Sequence, residues 1–141
     1  MAHRVFLDAN VLLDFLLKRD SYSSVREIVE LAVESKITAF ITPAIVHIVA
    51  YWLKKAYGAQ KTRELMLSLL TDIRVVDISH ETTLMAVNSK IDDIEDALQY
   101  YTALANSIHY FISSDKVLQR SAIPALPVVS PTQFLRIVSG H

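Results

Sequence analysis

Asp8 and Asp115 each follow a short run of β-branched and aromatic residues, Val5-Phe6-Leu7 and Tyr110-Phe111-Ile112. A third acidic group, Asp92, Asp93, Glu95 and Asp96, stands where a helix is expected to begin. Carboxylates gathered together hold hard divalent cations through oxygen, and such cations activate water and relieve charge on a phosphodiester. Taken singly, each acid has an ordinary structural use. Acids in a first helical turn satisfy free N–H groups and the macrodipole, and Asp92 with Glu95 has the spacing of a capping box. An Asp after a strand is a common turn residue. The three places together are more informative, because each is expected at the same edge of one sheet. Helical spacing puts Asp96 on one face with both Asp92 and Asp93, where like charges repel unless a cation lies between them.

Other chemistries lack their parts. The chain has no cysteine, so thiolate ligands and disulfides are excluded and any metal must sit on oxygen or imidazole. Ser113 and Ser114 have no evident His–Asp relay to activate them as nucleophiles. A phosphoryl-accepting Asp8 would need a second catalytic Asp two positions on or an acidic pair before it; Asn10 stands at the first place and no acid precedes Asp8.

The elements that must position these acids follow from local pattern. Val5–Leu7 reads as a buried strand, and Val11, Leu12, Phe15 and Leu16 then take helical spacing. After a turn at Arg19-Asp20-Ser21, a second helix carries Val25, Ile28, Val29, Leu31 and Ala32. Ile37–Ile41 is a strand, and Thr42-Pro43 supplies an N-cap and a first-turn proline for a helix running to Tyr57, with Gly58 as its stop. A further helix is expected from Ala59 to Leu70, a strand over Arg74–Ile78, and a helix capped by Ser79 from His80 to about Ser89. Asp92 or Asp93 caps the next helix, which ends near Asn106; Tyr110–Ile112 and Pro127–Val129 are strands, and Ser130-Pro131 starts a last helix over Thr132–Val138. Alternation of strands and helices predicts a mostly parallel sheet covered on both faces. In such sheets ligands bind beyond the carboxyl ends of the strands, where strand order reverses.

Composition sets the frame. The 141 residues suit one domain spanning 1–141, and 52% hydrophobic content against a usual 45–50% or so supplies a full core. The N-terminal stretch lacks the layout of a signal peptide, and no apolar run approaches the length of a membrane span, so residence in the cytoplasm is expected. A formal net charge of −1 provides no global basic field for nucleic acid. Affinity for RNA would have to come from local cations: Lys54, Lys55, Lys61 and Arg63 form the densest patch, and Lys116 and Arg120 flank Asp115. Tyr51, Trp52, Tyr100 and Tyr101 can stack on bases, although at helical spacing such residues more often serve core or interface. The apolar excess with this aromatic face predicts a homodimer.

The stretch from Val5 to Asp14, with Asp8-Ala9-Asn10 after the first strand, resembles the opening of PIN-domain proteins. Asp93 to Asn106 is similar to that family's third acidic motif, and Ser113-Ser114-Asp115-Lys116 to its fourth. Pro127 to Leu135 resembles its closing strand and helix, so order and spacing agree over nearly the full length. The resemblance implies a three-layer α/β/α sandwich with a mostly parallel central sheet of about five strands. It further implies that Asp8, Asp96 and Asp115 bind Mg²⁺ or Mn²⁺ and carry catalysis, with Asp93 as an extra metal ligand. Asn10 and Ser113 would orient carboxylates or contact phosphate; of the local cations, Lys54 and Lys116 are the ones expected to meet the RNA. The implied activity is that of an endoribonuclease, often the toxin half of a toxin–antitoxin pair, with an antitoxin protein as partner.

One position departs from the pattern. Where the family usually carries a second acidic residue, early in the third helix, this sequence reads Ala44, Ile45, Val46, His47 and Ile48. Imidazole suits Mn²⁺ better than Mg²⁺, and the site is one negative charge short. The rival reading is therefore a PIN-like module that binds RNA or protein without catalysis.

Overall fold

A computed structural model describes residues 2–140. Strands β1 (His3–Leu7), β2 (Ile37–Ile41), β3 (Ile73–Val75), β4 (Tyr110–Ile112) and β5 (Val128–Val129) form one sheet in the order β3-β2-β1-β4-β5. All four pairings are parallel. The helices are α1 (Ala9–Leu16), α2 (Tyr22–Val33), α3 (Pro43–Leu70), α4 (His80–Val87), α5 (Ile94–Ala105), α6 (Lys116–Ser121) and α7 (Pro131–Ser139). Helix α1 packs on α2 and α3, and α2 on α7, while α4 pairs with α5. Right-handed crossovers put the first group on one face of the sheet and the second on the other. The result is the expected three-layer α/β/α sandwich.

Covering both faces makes the central strands continuously apolar. Val5, Phe6, Leu7, Ala39, Ile41, Phe111 and Ile112 are inaccessible or nearly so, and the rings of Phe6 and Phe111 stack across the β1–β4 pair at 4.8 Å. Tyr100 belongs to this core: its hydroxyl donates to the Leu126 carbonyl at 2.7 Å and accepts from the Ile123 N–H at 2.9 Å. It is thus removed from any role in base stacking.

Two elements differ from the sequence expectation. Strand β3 covers Ile73–Val75 rather than Arg74–Ile78, with only the Val76 N–H continuing the ladder by donating to the Ile41 carbonyl at 2.9 Å. Helix α6 was not expected at all. It is six residues long with Leu118 as its one buried residue, too short to write a periodicity.

Helix α3 is two arms meeting at Gly58, whose φ of 84° and ψ of 171° lie in a region that essentially only glycine occupies. The Thr62 hydroxyl ties the corner by donating to the Gly58 carbonyl at 2.8 Å. A Cβ at position 58 would meet no atom within 4 Å, so any cost of adding one lies in the backbone. Gly58→Ala is expected to destabilise the protein by about 1–3 kcal/mol in urea denaturation; an unchanged midpoint would mean that the corner is not held.

Candidate functional site

Strand order reverses between β1 and β4, since β2 and β3 lie to one side of β1 and β4 and β5 to the other. Asp8 leaves the carboxyl end of β1 there, and its N–H donates to the Ile112 carbonyl of β4 at 3.0 Å. Its carboxylate is held from three sides. Oδ1 accepts from the Ala9 N–H at 2.8 Å; Oδ2 accepts from the Ser113 hydroxyl at 2.7 Å and from Asn10 Nδ2 at 3.4 Å. Ser113 is fully buried and also accepts the Asp115 N–H on Oγ at 3.1 Å, so one hydroxyl links the two aspartates. Asn10 Oδ1 is buried and has no hydrogen-bond partner.

The remaining acids arrive on helix starts. Asp115 caps α6, Oδ1 accepting from the N–H groups of Val117 at 2.9 Å and Leu118 at 3.2 Å. Asp93, not Asp92, caps α5, accepting the Asp96 N–H at 2.9 Å. Asp8 in turn is the N-cap of α1. The capping use and the clustering use of these residues therefore hold at once. For Asp93 and Asp115 the cap engages one carboxylate oxygen and leaves the other free of an intramolecular partner among the described residues. Three helix N-termini, with their partial positive charge, thus meet acids at one edge of the sheet.

The electrostatics are those of crowded anions. Burial pushes the Asp8 carboxyl up; the Ser113 and Ala9 hydrogen bonds oppose this, and the charges of Asp115 and Glu95 add to it. Burial is also the largest cause at Asp96, joined by the charges of Asp8, Asp93, Asp115 and Glu95, and together they push its pKa up to about 7. All the charges acting on the two groups are acidic. An oxygen-only donor set, mutual repulsion and the orphaned Asn10 Oδ1 fit a hard divalent cation. As the side chains stand, no three His, Asp or Glu residues among those described are grouped closely enough to ligate one ion.

The structure brings together Asp8, Asn10, Asp93, Asp96, Ser113 and Asp115, and exposed Lys116 follows directly on the last of these. His47 and Lys54 instead line a groove between the two arms of α3, which has no acidic residue in its lining. Two further participants join them. Glu95, in the acidic run but not among the expected ligands, acts on both Asp8 and Asp96. Gln99, 3% exposed, accepts a 2.5 Å hydrogen bond from the hydroxyl of Thr42, the N-cap of α3, and so fastens α5 to the end of β2. A polar residue three positions after Asp96 on an otherwise apolar helix face was the signal for that contact.

A family model described as PIN domain matches residues 4–117. No curated protein matches the chain in sequence. Among solved structures, the chain is similar to VapBC2 of Rickettsia felis bound to a DNA fragment from its promoter, with a TM-score of 0.68, 20% identity, and coverage of 89% of this chain and 96% of that one. A toxin–antitoxin complex from Klebsiella pneumoniae is similar with a TM-score of 0.67, 21% identity, and coverage of 90% and 97%. VapC20 of Mycobacterium tuberculosis, a sarcin-ricin-loop-cleaving toxin, is similar with a TM-score of 0.66, 12% identity, and coverage of 87% and 98%.

Proposed function

The chain belongs to the PIN-domain family, and from that premise we propose that it is a metal-dependent endoribonuclease, the toxin of a toxin–antitoxin pair. The observation that carries this reading is the acidic cluster at the β1–β4 switch, with Asp96 pushed up to about 7 by burial and by carboxylates alone. Asp8, Asp96 and Asp115 are the catalytic residues and, with Asp93, the metal ligands for Mg²⁺ or Mn²⁺. A bound divalent ion supplies charge relief on the phosphate and lowers the pKa of a bound water. The chain's own groups orient and balance that site. Ser113 fixes the Asp8 carboxylate by donating to Oδ2 and holds Asp115 through its N–H. Asn10 adds a second donor to Asp8 Oδ2. Lys116 supplies positive charge beside Asp115.

The direct test is cleavage of a mixed RNA pool by the purified protein with Mn²⁺ or Mg²⁺. Cleavage that EDTA abolishes supports the reading; folded protein that cuts nothing with either ion overturns it. Ser113→Ala is expected to lower the cleavage rate about 10–100-fold, as for other groups that orient metal ligands. Because the Ser113 hydrogen bond holds the Asp8 carboxyl down, its loss moves Asp8 further up, and the deficit widens as the pH is lowered. A deficit that does not change with pH would assign Ser113 a purely structural role.

The partners of this reading are RNA and an antitoxin protein, and the setting is the cytoplasm. The similarity to chains of toxin–antitoxin complexes supports the antitoxin. No helix among the described residues is long and apolar enough to cross a membrane. A single domain that forms a homodimer fits the exposed Leu84, Met85 and Val87 on α4. A second reading keeps the fold without catalysis. The observation favouring it is the stretch Ala44–Ile48, which adds His47 and no carboxylate to the start of α3.

A further inference from the structure

The corner at Gly58 folds α3 back so that its two arms enclose a groove of about 440 Å³. His47, Tyr51 and Lys54 line one wall at the i, i+4, i+7 spacing of a single helix face; Thr62, Arg63 and Met66 line the other. Thr62 and Met66 are buried and form the floor, while His47, Tyr51, Lys54 and Arg63 are exposed at the rim. The lining includes two cations from opposite arms and no acid. Neither Lys54 nor Arg63 is paired with a carboxylate among the described residues. Tyr51 is 50% exposed, and its ring packs edge to face on Trp52 with Lys55 standing over both at 4.7 and 5.5 Å. This cluster is a half-exposed aromatic platform set among cations, the combination that takes the alternating stacked bases and phosphates of a single strand.

The groove also has a direction. Thr42, which Gln99 fastens to α5, opens the first arm of α3, and His47 enters the groove five residues later. At a rise of about 1.5 Å per residue, Lys54 stands ~18 Å along the helix from Thr42. We propose that the groove between the arms of α3 is an exosite for single-stranded RNA, in which Lys54 and Arg63 hold phosphates and Tyr51 stacks a base, several nucleotides away from the acidic cluster. This assignment rests on the ribonuclease reading for its choice of RNA, but the groove itself is independent of the acids. It gives a chain with no overall positive charge a local means of holding its substrate.

Binding of a fluorescent oligouridylate of ~12 nucleotides is measured by anisotropy in EDTA, where no metal-dependent cleavage occurs. The Lys54→Ala/Arg63→Ala double variant is expected to bind roughly tenfold more weakly, and the slope of log affinity against log salt falls by about 1.4, some 0.7 for each lost phosphate contact on a single strand. Tyr51→Ala also weakens binding about tenfold but leaves that slope unchanged, and Tyr51→Phe restores it. Coincident thermal melts confirm that the variants are folded. Wild-type affinity and slope in the double variant would overturn the exosite, and so would a polyglutamate that competes as well as RNA with no effect of Tyr51→Ala, which would make the groove a site for an acidic protein segment. Metal-dependent cleavage without groove-dependent binding sinks the exosite and leaves the nuclease standing. Groove-dependent binding without any cleavage does the reverse.

Discussion

Asp8→Asn is expected to reduce metal-dependent RNA cleavage by at least about 10²-fold, the scale on which a single pre-organised electrostatic group acts, while the protein stays folded. The substitution separates two duties of one residue. As N-cap of α1, Asp8 accepts the Ala9 N–H, and an asparagine oxygen can do the same, since Asn and Asp cap about equally well. As a metal ligand it contributes a charge, and asparagine has none. The carboxyl is also raised by burial, so its removal relieves a desolvation cost in the metal-free state. The amide nitrogen cannot accept the Ser113 and Asn10 donors that Oδ2 holds, which offsets that relief. The melting temperature without metal should therefore stay near that of wild type as activity falls, and the stabilisation that Mn²⁺ gives wild type should vanish. Full cleavage by Asp8→Asn would remove Asp8 from the site, and an unfolded variant would show that its structural duty dominates.

The second large effect is on pH. With its pKa pushed up to about 7, Asp96 must lose a proton for a cation to bind below neutrality. Apparent affinity for Mn²⁺ is expected to fall by about tenfold per pH unit below pH 7 for one displaced proton, so about 100-fold by pH 5. Calorimetry in buffers of different ionisation enthalpy counts that proton directly. The same shift fixes the sign for the metal-free protein. An unfolded Asp ionises near its ordinary value of 3.8, whereas folded Asp96 stays protonated until about 7, so the folded state binds more protons in between. Stability without metal should thus decline as pH rises from about 4 to 7, and Asp8 contributes in the same direction. Asp96→Asn should flatten the decline and raise the melting temperature at about pH 8. A flat profile in wild type would mean that the acids are not crowded in solution.

Much of this arrangement was legible in the sequence because the residues involved do two things at once. Each aspartate at a strand end or helix start is marked both by its neighbours' periodicity and by its own cap chemistry. That is why Asp8, Asp93 and Asp115 could be placed, and why the edge of the sheet where they meet followed from parallel alternation alone. What escaped notice was short or long-range. Helix α6 has a single buried side chain, and its cap, Asp115, carries the signal of a site acid as strongly as that of a helix start. The end of β3 came early because Val75, exposed, gives way to a loop whose Val76 and Ile78 keep the look of a strand. The contact between Thr42 and Gln99 joins residues 57 apart; the polar Gln99 on an apolar helix face marks one end of it, and no local pattern records its partner. His47 illustrates the opposite case: its position along α3 was clear, but only the turn at Gly58 shows that it opens onto cations rather than acids.

The hydrogen bond from Ser113 to Asp8 joins positions separated by 105 residues. β1 gains its β4 neighbour only after β2, β3 and helices α1 to α5 have been made. On the ribosome, therefore, α1, α2 and β2 are available to β1 well before the acidic cluster can form. The site is completed only once β4 has emerged, and every truncated product ending before β4 lacks it.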